Sequence, residues 1–243
     1  MNKEYLSNIR RLLDQLENTQ EQVIEQVAKA CAECIYNGGL LYFFGTGHSH
    51  MICEEPFYRA GGLASIYPIL ESDLMLHEGA AKSSSYERIQ GLGNVVVSHT
   101  PLGKGDVLFL ISNSGRNCAI IDAALEAKKR GAITVAITSM NHTTNVTSRH
   151  SNGLNLYQVC DFVLDNGGVV GDASVQLDGL KQKIAPTSTV LDVTLVNLVL
   201  VNTSELLLKK GMTPPVFTSA NTDEGDSANK SILETYKSRI PSL

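Results

Sequence analysis

The chain has 243 residues, 43% of them hydrophobic and 19% charged, enough for one sizeable core with an appended helical piece. Its net charge of −5 and pI near 5.7 argue against a nucleic-acid partner, which calls for a basic face, and favour a small metabolite. Met1 to Gln20 is polar and lacks the apolar stretch of a signal peptide, and five scattered cysteines suit a reducing cytoplasm.

Two helices are predicted to open the chain. Tyr5 to Glu17 carries Leu6, Ile9, Leu12, Leu13 and Leu16 at helical spacing. Thr19 is a candidate cap for a second helix with Val23, Ile24, Val27, Ala30 and Cys31 on one face, stopped by Asn37-Gly-Gly39. Cys31 and Cys34 form a C-x-x-C inside that helical pattern with no strand before it. Plain helix packing is expected there rather than redox or metal chemistry.

Leu40 to Phe44 reads as the first strand and runs into a turn of small residues, Gly45-Thr-Gly-His-Ser49. A helix from Ser49 to Ala60 follows, ended by Gly61-Gly62. Ser65 to Leu70 is a second strand, and Pro68 places it at a sheet edge. Ser72 to Gly93, with Gly79 and the serine run Ser83–Ser85, reads as a functional loop containing a helix. Asn94 to Thr100 fits strand or helix.

Val107 to Ile111 is a strand that feeds a second small-residue turn, Ser112-Asn-Ser-Gly115. Asn117 to Arg130 is a helix with Ile120, Ile121, Ala124, Leu125 and Ala127 on its apolar face, and Gly131 stops it. Thr134 to Thr138 and Asp161 to Asp165 are further strands, separated by a long polar surface loop, Ser139 to Asn155. Pro186 and Thr187-Ser-Thr189 open a long apolar helix reaching about Lys210. Asp192, Asn197, Asn202 and Glu205 within it favour a buried helix over a membrane span. Gly211 ends that helix, Pro214-Pro215 keeps the chain extended, and Ser231 to Arg239 forms a last short helix. Strands alternating with helices predict an α/β fold whose parallel sheet is covered on both faces. Ligands of such sheets lie beyond the carboxyl ends of strands, where both small-residue turns sit.

Small residues let the backbone approach a ligand, and N–H groups at a helix start favour an anion. A dinucleotide fingerprint competes for the first turn, because Gly45-x-Gly47-x-x-His50 is followed by Glu71 at about the spacing of a ribose-binding acid. His50 would crowd helix–strand packing, however, and that reading leaves Ser112–Gly115 and Thr187–Thr189 unexplained.

Phe44-Gly-Thr-Gly-His-Ser49 and Ile111-Ser-Asn-Ser-Gly-Arg116 resemble the two phosphosugar loops of the sugar isomerase (SIS) domain family. Ala185-Pro-Thr-Ser-Thr-Val190 resembles its third signature, a Ser/Thr cluster opening a long helix. Ser148-Arg-His150, Asp165-Asn166 and Gly171-Asp-Ala173 resemble an uncharacterised phosphosugar-binding subgroup of that family. The resemblance spans roughly residues 20 to 210 and implies an α/β/α sandwich with a five-stranded parallel sheet. The implied domains are N-terminal helices over 1–36, the SIS domain over 37–211 and a tail over 212–243.

The implied phosphosugar-binding residues are Gly45, Thr46, Gly47, His48, Ser49, Ser112, Asn113, Ser114, Gly115, Thr187, Ser188 and Thr189. The implied partners are a sugar phosphate and further copies of the chain, as a homodimer or homotetramer, with neither nucleic acid nor membrane. The implied function is isomerisation or lyase-type elimination of a phosphosugar. Its alternative is a phosphosugar-binding sensor without catalysis, although the familiar two-domain transcriptional regulator is not expected.

The sequence departs from the zinc-dependent phosphoheptose isomerases of the family. Those carry a His and a Glu on the helix after the first loop, where Glu55 and Arg59 stand here, and a late-helix His that Val190 to Leu208 lacks. No metal or other cofactor is therefore expected. Isomerisation and ether elimination both remove a proton beside a carbonyl, so a carboxylate is needed. Glu78, in His77-Glu-Gly79, and Glu87 are the catalytic candidates, with Glu71 behind them. His48 is a candidate phosphate or sugar contact, His50 a packing residue, and Arg116 either an anion partner or a surface cap. Asn221, Asp223 and Asp226 lie in a polar tail that either closes over a site or stays disordered.

Overall fold

A computed structural model describes residues 3–222 and 225–243, with the side chain of Asp226 outside the description. A five-stranded parallel sheet forms its centre. Strands β1 (Leu41–Gly45), β2 (Ile66–Ile69), β3 (Val107–Ile111), β4 (Ile133–Thr138) and β5 (Phe162–Asp165) lie in the order β2-β1-β3-β4-β5. Each is a short apolar run because both faces of the sheet are covered. Alternate residues split between the two faces. Leu41, Phe43, Val107, Phe109, Val135 and Leu164 face one core, and Leu40, Tyr42, Phe44, Leu108, Leu110 and Ala136 face the other. Phe43 and Phe109, register partners on β1 and β3, stack with ring centroids 4.5 Å apart. Pro68 sits in β2, the edge strand, where the missing N–H breaks no ladder on its open side.

The first face is covered by α1 (Glu4–Tyr36) and α8 (Ser188–Lys209), whose Leu12, Leu16, Ile24, Val27, Leu191, Leu195 and Val199 enter one core with the sheet. α1 is one helix of 33 residues, where two were predicted. Thr19 does not cap: its hydroxyl donates to the Gln15 carbonyl at 2.9 Å, and the Asn18 amide donates to the Asp14 carbonyl, so both bond back along an unbroken turn. α8 is long and apolar enough to cross a membrane by length and composition. Here it packs on α1 and the sheet.

The second face is covered by α4 (Leu92–Ser98), α5 (Cys118–Lys129), α7 (Leu156–Val159) and α9 (Gly225–Tyr236). α4 resolves the ambiguous Asn94–Thr100 stretch as helix. It crosses α5 so closely at Gly93 that a Cβ there would stand 1.9 Å from the Ala119 carbonyl oxygen. The helix expected from Ser49 to Ala60 is shorter: a 3₁₀ turn over Gly47–His50 leads into α2 (Met51–Glu54), and Pro56, which has no N–H to continue the ladder, ends it. The Ser72–Gly93 segment holds a 3₁₀ turn over Ser72–Leu74 and α3 (Ala80–Tyr86). The Ser139–Asn155 loop is less of a surface feature than its polarity suggests. It opens with α6 (Met140–Thr143), and Thr143, His150 and Asn155 are buried in it.

One element was not foreseen. Between β5 and α8 the chain makes a small antiparallel pair, β6 (Ala173–Val175) and β7 (Ile184–Pro186), held to α1 by the Asn8 amide on the Ser174 carbonyl and the Tyr5 hydroxyl on the Pro186 carbonyl. Beyond α8, Val216 bridges Leu63, and the Asn229 amide pairs with the backbone of Thr218. α9 starts six residues before the predicted Ser231, and its Tyr236, with Ile240 beyond it, enters the second core. Asp223 and the Asp226 side chain, part of the candidate closing tail, lie outside the described residues.

Candidate functional site

The sheet order reverses between β1 and β3, which is where a parallel sheet opens a crevice at its carboxyl edge. The turns after these two strands are the two small-residue loops, so they stand side by side. In the first, a Cβ on Gly45 would stand 2.7 Å from the Ser49 carbonyl, and Gly47 has a φ of +57°. The Ser49 N–H donates to the Thr46 carbonyl at 3.0 Å, and the buried His50 ring bonds the Gly47 carbonyl, which makes it the packing residue of the turn. His48 is exposed at the rim and Ser49 is half-buried.

The second loop is clamped from several sides. The Ser112 N–H donates to the Ile137 carbonyl, and the Gly115 N–H donates to the Ser112 hydroxyl at 3.1 Å. The Asn113 carbonyl accepts from the Ser139 N–H and the Thr138 hydroxyl. Gly115 has a φ of +59°, and a Cβ there would crowd Thr143 and Leu156. Beneath it runs a buried polar chain. The Asn166 amide donates to Asn113 Oδ1 at 3.0 Å and to Asp192 Oδ1 at 2.8 Å. Burial pushes the Asp192 carboxyl up to about 7, opposed by the Asn166 amide and assisted by the nearby charge of Asp172.

The third cluster opens α8 as expected, but the donors of Thr187 and Ser188 are already engaged. Asp172, at a left-handed φ of +68°, accepts the Thr187 N–H at 2.9 Å, the Ser188 N–H at 2.8 Å and the Ser188 hydroxyl at 2.6 Å. A carboxylate therefore occupies the electropositive end of α8 where a phosphate was expected, leaving Thr187 fully buried and Thr189 half-buried beside it. His142 lies near this cluster. Burial lowers its pKa, Asp172 raises it and Arg116 lowers it.

The two carboxylate candidates part company. Glu87, at the end of α3, accepts the Thr46 hydroxyl at 2.8 Å, and its carbonyl accepts the Ala119 N–H at the start of α5. It bridges the first loop to the helix that follows the second. Glu78 is exposed, with Lys82 at 4.0 Å and His77 at 3.9 Å, on a surface facing solvent. Glu71 lies half-buried ahead of the Ser72–Leu74 turn.

Asp172, Asn166 and Arg149 are the residues that sequence reasoning left without a role. Each lies in a stretch singled out by pattern, Gly171-Asp-Ala173, Asp165-Asn166 or Ser148-Arg-His150. His150 in the last of these is a staple: its Nε2–H donates to Asp122 Oδ1 at 3.0 Å and its Nδ1 accepts the Asn152 N–H, while Asp122 Oδ2 accepts the Gly91 N–H.

The residues do not fit a zinc set. Glu55 and Arg59 pair with each other one turn apart, α8 carries no His, and among the described residues no three His, Cys, Asp or Glu side chains converge as a metal site. Cys31 and Cys34 are buried in α1, and burial, followed by the charge of Asp106, pushes the Cys34 thiol up to about 12. A groove of about 670 Å³ lies elsewhere, between α1 and α8 beside Leu13, Glu21, Thr194 and Leu198.

A model of the SIS domain matches residues 4–139, a span that includes both small-residue loops and stops before α8. A UPF0309 protein of Geobacillus kaustophilus is 41% identical over 243 residues, covering 100% of this chain and 97% of its own. A UPF0309 protein of Halalkalibacterium halodurans is 43% identical over 233 residues, covering 96% of each. Among solved structures, the phosphoheptose isomerase of Neisseria gonorrhoeae superposes with a TM-score of 0.54 at 16% identity, over 82% of this chain and 92% of that one.

Proposed function

The chain belongs to the SIS domain family, and on that scaffold we propose that it binds a phosphorylated sugar at the β1/β3 crevice and moves a proton with Glu87. The observation that carries this reading is the bridge from Thr46 to Glu87, which sets a carboxylate against the first of the two loops suited to a phosphate. The phosphate rests on the Ser112–Gly115 turn and the hydroxyls of Ser49, Ser112 and Ser114. The Ser112 oxygen accepts from Gly115 and keeps its own proton to donate. In the α8 cluster Asp172 already engages Thr187 and Ser188, and α8 reaches this cradle through Asp192 and Asn166. The structural likeness to a phosphoheptose isomerase supports an isomerase-type fold and leaves the sugar open.

Glu87 takes a proton from the carbon beside the sugar carbonyl. Returning it to the former carbonyl carbon, while the proton of the adjoining hydroxyl passes to the former carbonyl oxygen, completes an aldose–ketose exchange; expelling a β-substituent, which leaves with a proton, completes an elimination. Glu87→Gln keeps the Thr46 contact and removes the base. Turnover on the sugar phosphate that binds is expected to fall at least about a hundredfold while affinity stays within about threefold. Undiminished turnover overturns the role of Glu87. Binding without turnover in the wild-type chain favours a sensor.

We also propose that the chain assembles with copies of itself through α8. Its outward face carries Val190, Leu198, Val201 and Leu208, all exposed, beside the groove along α1.

A further inference from the structure

Three arginines from three segments meet on one helix start. Arg116 directly precedes Asn117, the residue before α5. Arg149 is tied to the same turn three times: its N–H donates to the Arg116 carbonyl at 2.8 Å, its guanidinium to Asn117 Oδ1 at 2.6 Å, and its carbonyl accepts the Cys118 thiol at 3.3 Å. Arg88 follows Glu87, whose carbonyl accepts the Ala119 N–H of that turn at 3.0 Å.

Among the described residues none of the three makes an ion pair with a carboxylate, whereas Arg59, Lys82, Lys128 and Lys210 all do. The buried Nε of Arg116 has no hydrogen-bond partner. Burial lowers the Arg149 pKa, and the charges of Arg116 and Arg88 lower it further, with Glu87 opposing them. Arg88 and Arg149 are exposed and Arg116 is half-buried, so a protein of net charge −5 holds three guanidiniums here that pair with no carboxylate among the described residues and lie open to an anionic ligand.

We propose that Arg88, Arg116 and Arg149 form a second anion subsite, so that the ligand is a sugar phosphate bearing a further acidic group. This rests on the sugar-phosphate reading above. The phosphate occupies the Ser112–Gly115 turn, and the second group, a carboxylate or another phosphate, lies on the guanidiniums with the reacting carbons facing Glu87 between them. Arginine suits this task because its planar fork holds two oxygens at once.

Calorimetric titration with glucose 6-phosphate, 6-phosphogluconate and fructose 1,6-bisphosphate tests it. At least one doubly anionic probe is expected to bind about tenfold or more tightly than glucose 6-phosphate. A preference for 6-phosphogluconate assigns a carboxylate and one for the bisphosphate a second phosphate. Arg88→Gln, which removes no side-chain hydrogen bond seen in the structure, and Arg149→Gln are expected to erase that preference and leave glucose 6-phosphate within about threefold. Equal affinity for all three probes overturns the second subsite and leaves the first standing. So does an equal loss for glucose 6-phosphate in the arginine variants, which would place the guanidiniums on the sugar phosphate itself. No binding of any probe overturns the sugar-phosphate reading and this proposal together.

Discussion

Asp192 shows how a single side chain couples the site to pH. It lies near the start of α8, 3% exposed, and holds the second loop only through the Asn166 amide. Burial raises its pKa from 3.8 to about 7. Between those values the folded chain keeps a proton that the unfolded chain releases, so this group lowers stability as pH rises from about 4 to 7 and holds it down above 7. Asp192→Asn removes the charge and keeps an oxygen for Asn166. Urea unfolding is expected to show the stability of the variant relative to wild type rising by about 2 kcal/mol between pH 5 and pH 8. Equal stabilities at both pH values would mean that water or a counter-charge relieves Asp192.

The residue scale is also where the sequence was least legible. Gly45, Gly47 and Gly115 were readable because tight turns admit few alternatives. Glu78 and Glu87 looked alike in a polar segment, and only folding puts one against Thr46 and the other in solvent. Asp172 could not be matched to α8 from fifteen residues away, because no local pattern announces a side chain that caps a distant helix.

At the scale of elements, apolar runs and their punctuation carried the reading. The five strands fell where continuous Val, Ile, Leu and Phe runs predicted them, and Pro68 marked the edge. Errors came where the local signal was weak. A lone Thr19 does not outweigh an unbroken helical face, and β6 and β7, three residues each, are too short for alternation to register. α8 is apolar nearly all round, as a helix is when covered on more than one side. The sheet and α1 cover one side; Val201 and Leu208, 57% and 60% exposed, remain on the other. Val201→Glu is expected to lower the solution mass from a dimer or tetramer to a monomer, with the fold retained, when measured by sedimentation. An unchanged mass would place the contact elsewhere, and a monomeric wild type would remove it.

For the whole molecule, topology does the assembling. The order β2-β1-β3-β4-β5 brings together two loops more than sixty residues apart, and the strand-and-turn pattern was enough to foresee their meeting. What surrounds them depends on the complete fold: the engaged third cluster, the bridging carboxylate and the unpaired arginines arise from segments with no shared pattern in the chain. The central claim, a phosphorylated ligand at the β1/β3 crevice, is tested most directly by thermal unfolding with aldose, ketose, amino-sugar and muramate phosphates, each beside its dephosphorylated parent, and with NAD. A ligand at about a hundred times its dissociation constant adds roughly 2.7 kcal/mol to the folded state. The account predicts such a shift with at least one sugar phosphate, none with its parent sugar, and its loss in Ser114→Ala. A shift with NAD alone, or no shift with any sugar phosphate, would contradict it.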